Sequence, residues 1–217
     1  MSATDITISS MSAAVITRIG PVARWKPDAA GRLQQAALEL FVERGYENTT
    51  VADIAEQAEL TERTFFRHFA DKREVLFSGT DLLRELLTSS VAAAPTSMSP
   101  IEMVGAALEA ASELLEERQD VVPLRQSVIA AHSELREREL IKLASFADVL
   151  ADALRTRGVK DPAARLAAEA GIAAFKIAYD RWAADPTRRN LARLVRESLH
   201  DLKTLTAGET PRQRTNR

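Results

Sequence analysis

A chain of 217 residues that is 46% hydrophobic can bury a core, and with only 5% aromatics, 8 Gly and 8 Pro its vocabulary is that of helices, so sheet is not expected. The absence of cysteine excludes disulfides, thiolate zinc sites and cysteine nucleophiles. A formal net charge of −2 gives no global attraction for nucleic acid, and no apolar run approaches the ~18 residues of a membrane helix, so a cytoplasmic protein without a membrane partner is expected, acting through local placement of charge.

Residues 1–27 show no sustained helical period and carry Gly20-Pro21 and Lys26-Pro27. They are expected to form a flexible arm, with Asp5 set against Arg18, Arg24 and Lys26. From Asp28, Leu33, Ala36, Ala37, Leu40 and Phe41 recur on one helical face until Gly45, which can take a left-handed conformation and end the helix. Thr50 followed by Asp53 reads as a capping box that opens a helix of barely two turns over Val51, Ile54, Ala55 and Ala58. A short connection at Glu59-Leu60 leads to Thr61, the N-cap of a third short helix running to about Phe69. Asp71 then reads as the cap of one fourth helix in which Val75, Leu76, Leu82, Leu83, Leu86 and Leu87 recur.

The small, polar stretch from Val91 to Ser99 reads as a linker, and Ser99-Pro100 with Glu102 restarts a helix with cap, first-turn proline and acid in order. Helices are expected near 100–118, 121–131 and 133–157, the last ended by Gly158. Two long ones follow, announced by Asp161-Pro162 and Asp185-Pro186. The tail over 208–217, with Arg212, Arg214 and Arg217, is expected to be disordered.

Two short helices joined by a few residues, with a first helix packed across them, let one helix enter a major groove while its neighbours hold the backbone. The run Thr49-Thr50-Val51, Ile54-Ala55, Ala58, Thr64-Phe65-Phe66-Arg67-His68-Phe69 and Lys72 resembles, in residue type and spacing, the signature of the TetR family of transcriptional regulators. The resemblance covers roughly residues 30–77. It implies an all-α fold of about nine helices, with a three-helix helix-turn-helix DNA-binding domain over 28–77 and a ligand-sensing and dimerisation bundle over 78–207. It further implies a homodimeric regulator that binds double-stranded operator DNA, expected to be a repressor released by a small-molecule ligand, with activation as the alternative.

Matched residue by residue, the family puts Thr49 and Thr50 beside a phosphate, where a hydroxyl and the free N–H groups of a helix start can bind oxygen. It puts Glu62, Arg63, Thr64 and Arg67 on the exposed face of the recognition helix, with Phe65 and Phe69 turned inward, and it assigns His68 and Lys72 to the DNA backbone. Thr61 and Phe66 complete the candidate DNA face. Arginine pairs bidentately with guanine and a carboxylate accepts from cytosine N4, so Arg63, Arg67 and Glu62 are the base-reading candidates. A phosphate contact remains the alternative for Arg63, and simple dipole stabilisation of a first-turn acid the alternative for Glu62.

Three departures from the family pattern matter. Glu59 stands where glycine is usual, so it either takes a left-handed conformation at about 1 kcal/mol or the turn differs. Arg63 replaces another common glycine, and Phe66 stands where a tyrosine hydroxyl usually meets phosphate, so the operator sequence does not transfer. Between Asp28 and Phe77 ten acids outnumber six bases, yet between Thr61 and Arg73 four bases and His68 face two acids. Positive charge thus gathers where the recognition face is expected.

In the second part, Ala163, Ala164, Ala167, Ala168, Ala170, Gly171, Ala173 and Ala174 would let another helix approach closely, and the last helix presents Leu191, Leu194, Val195, Leu199 and Leu202. Segments near 161–184 and 185–206 therefore suit a two-fold four-helix dimer interface, with packing inside one chain as the alternative. The middle helices would enclose a small-molecule pocket, with Arg125, Gln126, His132, Phe175, Tyr179 and Trp182 as candidate lining. For Phe175 and Trp182 a core or interface role stands beside this reading, and His132 could simply end a helix. No cofactor and no metal site is expected. An enzyme would need more than His68, His132 and His200 without a phosphate loop, H-E-x-x-H or G-x-S-x-G, and a protein-interaction bundle would leave the run from Thr49 to Lys72 unexplained.

Overall fold

A computed structural model of the chain describes residues 29–185 and 190–208. Asp28, the arm cations Arg18, Arg24 and Lys26, the residue Pro186 and the tail arginines lie outside the described residues. Nine α-helices run through the described residues: α1 (Ala29–Glu43), α2 (Val51–Gln57), α3 (Glu62–His68), α4 (Thr80–Ala93), α5 (Pro100–Glu116), α6 (Val122–Ala131), α7 (Ser133–Thr156), α8 (Ala163–Ala183) and α9 (Leu191–Thr206). A 3-10 helix (Arg73–Phe77) lies between α3 and α4.

Local chemistry sets most of these boundaries. Gly45 takes φ +86° after α1, and the capping box of α2 is complete, with the Asp53 N–H donating to Thr50 Oγ1 (3.1 Å) and the Thr50 N–H to Asp53 Oδ2 (2.7 Å). Those Thr50 bonds hold the Asp53 carboxyl below the usual carboxylate range. Ser99 and Glu102 make the same box on α5, and the Ser99 N–H and hydroxyl, with Lys203 beyond them, bring Glu102 down to about 2. The last helix departs from expectation: α9 starts at Leu191, capped by the Asn190 side chain, which accepts from the Arg193 N–H at 2.7 Å.

The expected single fourth helix is two elements. Asp71 Oδ1 accepts from the N–H groups of Arg73 (2.8 Å) and Glu74 (3.1 Å) and so starts the 3-10 helix. The chain then reverses at Gly79 (φ +87°) before α4 begins. The physical reason is that the leucine run serves two cores. Val75 and Leu76 join Leu33, Leu40, Ile54 and Phe65 in an N-terminal cluster, whereas Leu87 packs with Leu108, Leu150 and Leu154 among α4, α5 and α7 to α9. The stretch read as a linker instead joins two helices of that second core, since Val91, Ala94 and Met103 are all buried in it. Val128 and Ile129 of α6 and Leu135 of α7 reach into the N-terminal cluster and tie the two cores together.

The small-residue face of α8 is used inside the chain. Ala164, Ala168, Gly171 and Ala178 are buried, and a Cβ on Gly171 would stand 2.2 Å from Val104 Cγ1 of α5. Gly171→Ala is therefore expected to lower stability, because overpacking costs about 1–3 kcal/mol, against the ~1 kcal/mol that alanine returns in helix propensity. A lower urea midpoint at unchanged slope would bear this out, and an unchanged or higher one would contradict the close approach. Among the residues α8 leaves outward, Leu166 (65% exposed), Ala173 and Ile177 (58%) are apolar and fall at helical spacing, with Arg165, Glu169 and Lys176 exposed beside them.

Candidate nucleic-acid interface and ligand cavity

The head is organised by the inward face of α3. Phe65 is fully buried and packs on Phe69 with ring centroids 5.4 Å apart, which turns the opposite side of the helix to solvent. Glu62, Arg63, Phe66, Arg67 and His68 are exposed there and Thr64 is half-buried. Thr61 caps the helix by accepting from the Thr64 N–H at 3.2 Å, and its hydroxyl lies 3.0 Å from that of Thr64. Arg67 reaches the neighbouring His68 ring at 3.4 Å, while Arg63 has no ion-pair partner among the described residues. Phe66 presents a ring that is 54% exposed, so an apolar plane stands on the face where two arginines are exposed.

One of the expected phosphate contacts needs correction, and a second is partly engaged within the head. Thr49 is 1% exposed and its hydroxyl donates to the Gly45 carbonyl at 2.9 Å, so the side chain braces the turn between α1 and α2 and is not a surface donor. The Lys72 ammonium donates to the carbonyls of Tyr46 (2.7 Å) and Thr49 (2.9 Å) and sits 4.1 Å over the Tyr46 ring, so two of its three protons are used within the head. Thr50 is exposed at the start of α2, as expected, although its oxygen is engaged in the capping box.

Glu59 takes the left-handed conformation, at φ +53°. The Leu60 N–H donates back to Ala55 O (2.8 Å) in the bond that closes such a helix end, and Arg32 donates to the Ala58 carbonyl and to the Glu59 carboxylate (3.3 Å). Glu59 is largely exposed, so that ion pair stabilises little. Glu59→Gly is expected to raise the thermal midpoint by about 2–4 °C, the equivalent of the ~1 kcal/mol left-handed penalty in a chain of this size, without weakening DNA binding. A fall in the melting temperature would show that the Arg32 contact outweighs the backbone term.

A cavity of about 330 Å³ opens within the second core, with Leu83, Leu87, Leu108, Phe146 and Ile172 among its apolar walls. Arg125, Gln126, Phe175 and Tyr179 of the expected set line it. Trp182 does not: it is buried in the core beside Tyr179, with centroids 5.7 Å apart. His132 also lies elsewhere, at the junction of α6 and α7, with its ring 5.0 Å from Tyr46 and its Nδ1 3.6 Å from the Glu47 carboxylate. Burial pushes the Tyr179 hydroxyl's pKa up, with the nearby Arg125 charge pulling the other way.

Sequence reasoning missed the polar links between cavity and head. Arg125 Nε donates to the Leu76 carbonyl at 2.7 Å and Nη1 to Glu139 at 3.0 Å, with the guanidinium 5.1 Å from the Phe77 ring centroid. Glu74 accepts from Arg138 Nε (2.6 Å) and Lys142 (2.9 Å), and Gln34 accepts from Arg118 (2.8 Å). The hydrogen bonds of Arg125 to Leu76, of Arg138 and Lys142 to Glu74, and of Arg118 to Gln34 join residues 49 to 84 positions apart, a separation at which no local pattern signals contact.

Comparison with known proteins adds to this geometry. The model for bacterial regulatory proteins of the tetR family matches residues 33–78, and the model for the MftR C-terminal domain matches residues 98–207, about half of the chain. The HTH-type transcriptional regulator TcmR of Streptomyces glaucescens is 40% identical over 79 residues, 36% of this chain. The match spans only about a third of that relative's length (35%). Among solved structures, FadR of Thermus thermophilus, a TetR family transcriptional repressor in complex with lauroyl-CoA, superposes with a TM-score of 0.52 at 24% identity, covering 87% of this chain and 98% of its own. FadR of Bacillus subtilis in complex with stearoyl-CoA gives 0.52 at 21%, over 79% and 96%. At such identities these likenesses speak for the fold. With one family model on the head, a second on about half of the chain, and this architecture joining them, the chain belongs to the TetR family of bacterial regulatory proteins.

Proposed function

We propose that the chain is a sequence-specific transcriptional repressor, cytoplasmic and homodimeric, whose two heads occupy successive major grooves of an operator and leave it when a small molecule fills the cavity. One observation carries the reading: Phe65 and Phe69 anchor α3 from within, so that Arg63 and Arg67 stand exposed on its outer side at the spacing of one helical turn. The exposed Leu166, Ala173 and Ile177 of α8 favour a two-fold interface built on that helix, with α9 at its edge. The largely apolar cavity with a few converging polar groups suits a small-molecule site, and the acyl-CoA ligands of the two FadR proteins make acyl thioesters the first compounds to try.

The test is fluorescence anisotropy of the full chain with duplexes from its own upstream region at two salt concentrations, with and without lauroyl-CoA. Salt-dependent binding, at least a thousandfold tighter than to random duplex and weakened by the ligand, is the expected result. Equal affinity for random duplex would refute sequence-specific repression.

A further inference from the structure

We infer that Arg125 is the group through which the cavity acts on the DNA-binding head, and that the ligand it senses carries an anionic oxygen headgroup on an apolar body. This rests on the repressor reading above. Among the described residues, Arg125 is the cavity-lining residue from beyond α4 whose side chain hydrogen-bonds to the backbone of the 3-10 helix, at the Leu76 carbonyl (2.7 Å); the Thr80 hydroxyl also donates to that helix, but only locally, to the Phe77 carbonyl (2.6 Å). The same guanidinium reaches Glu139 on α7 (3.0 Å), lines the cavity together with Tyr179 of α8, and is 18% exposed. Leu76 is buried in the head's core, and Lys72, one residue before the 3-10 helix, holds the carbonyls of Tyr46 and Thr49 at the entry to α2. A change at Arg125 therefore acts on backbone that belongs to the head.

The charge of the lining selects the ligand class. Five cations contribute to the cavity wall, Arg125 and Lys176 among them, against Glu139 and Asp180, while the remaining wall is mostly aliphatic and aromatic. A neutral carbonyl such as Leu76 O is a weaker acceptor for guanidinium than a carboxylate or phosphate oxygen, whose charge-assisted bonds are roughly twice as strong. An anionic headgroup thus draws Arg125 off Leu76, whereas a neutral ligand of the same length fills the apolar part and leaves that bond in place.

The test compares dodecanoate with dodecan-1-ol, both below their aggregation concentrations, by isothermal titration calorimetry on the full-length protein, followed by operator anisotropy at saturating ligand. Dodecanoate is expected to bind wild type at least tenfold tighter than the alcohol and to weaken operator binding at least tenfold. Arg125→Gln is expected to abolish the preference and the operator effect, so that acid and alcohol bind within about twofold of each other. Arg125→Lys, which keeps the charge, guards against loss of fold: it retains a preference for dodecanoate but transmits less of it to the operator. Equal binding of acid and alcohol, no binding of either, full coupling in Arg125→Gln, or a preference lost in Lys176→Gln and kept in Arg125→Gln would each overturn the inference. If wild type binds no operator, the repressor reading falls and the coupling with it, and the calorimetric preference still decides the headgroup.

Discussion

Arg63→Ala combined with Arg67→Ala is expected to reduce selective operator binding by about a thousandfold or more while leaving thermal stability nearly unchanged. A bidentate contact to a base is worth ~1–3 kcal/mol, and a dimer with two such arginines per head commits four of them, so even the lower bound sums to about 4 kcal/mol. Neither arginine forms an ion pair within the described residues and both are exposed, so their loss belongs with surface substitutions, within about ±0.5 kcal/mol of neutral for folding. Residual binding should be weak, salt-dependent and indifferent to sequence, because the rest of the head still meets phosphate. Anisotropy against operator and random duplex in parallel reads both quantities, and a double variant that still discriminates would place base reading elsewhere.

Phe65→Ala is expected to cost about 3–5 kcal/mol, a large share of the 5–15 kcal/mol that holds a typical domain together. The side chain is fully buried, touches Phe69 and Phe66, and is the residue that fixes α3 to α1. Phe66→Ala, one position on, removes a ring that is 54% exposed and should leave the melting temperature nearly unchanged while weakening DNA binding. Calorimetric melts of the two variants separate them, with the head of Phe65→Ala expected to unfold ahead of the larger bundle. Similar destabilisation by both substitutions would mean that α3 is rotated from the orientation described.

Much of the head was legible because its punctuation is local. Thr50 with Asp53, Thr61, and Gly45 each act within four residues, and the elements they bound stand where the sequence puts them. Gly79 was not legible, because Val75, Leu76, Leu83 and Leu87 keep helical spacing across it, and periodicity says that a residue is buried without saying in which core. The α8 stripe is ambiguous for the same reason: small residues promise a close helix neighbour without naming it, and the buried ones among them meet α5 of the same chain.

The site shows a similar division. Residues read from the face of a helix, such as Arg63, Phe66 and Arg67, are exposed as expected. The family pattern puts Thr49 and Lys72 at the DNA backbone, yet the Gly45 carbonyl takes the Thr49 hydroxyl, and the Tyr46 and Thr49 carbonyls take two of the three Lys72 protons. In the cavity, Arg125, Gln126, Phe175 and Tyr179 converge because α6 and α8 face each other, whereas Trp182 falls on the core side of α8 and His132 lies at the end of α6. The bond from Arg125 to Leu76 carries the coupling argument, and nothing near either residue in the chain announces it.

The most direct test of the central claim is selection of binding sites by the full-length protein from a pool of random duplexes. Two symmetry-related heads should enrich an inverted repeat whose half-sites lie about 34–36 Å apart, or a multiple of that spacing, occupied by two protomers or a multiple of two. Absence of any enriched sequence, or enrichment of an unrepeated site bound by one protomer, would contradict it.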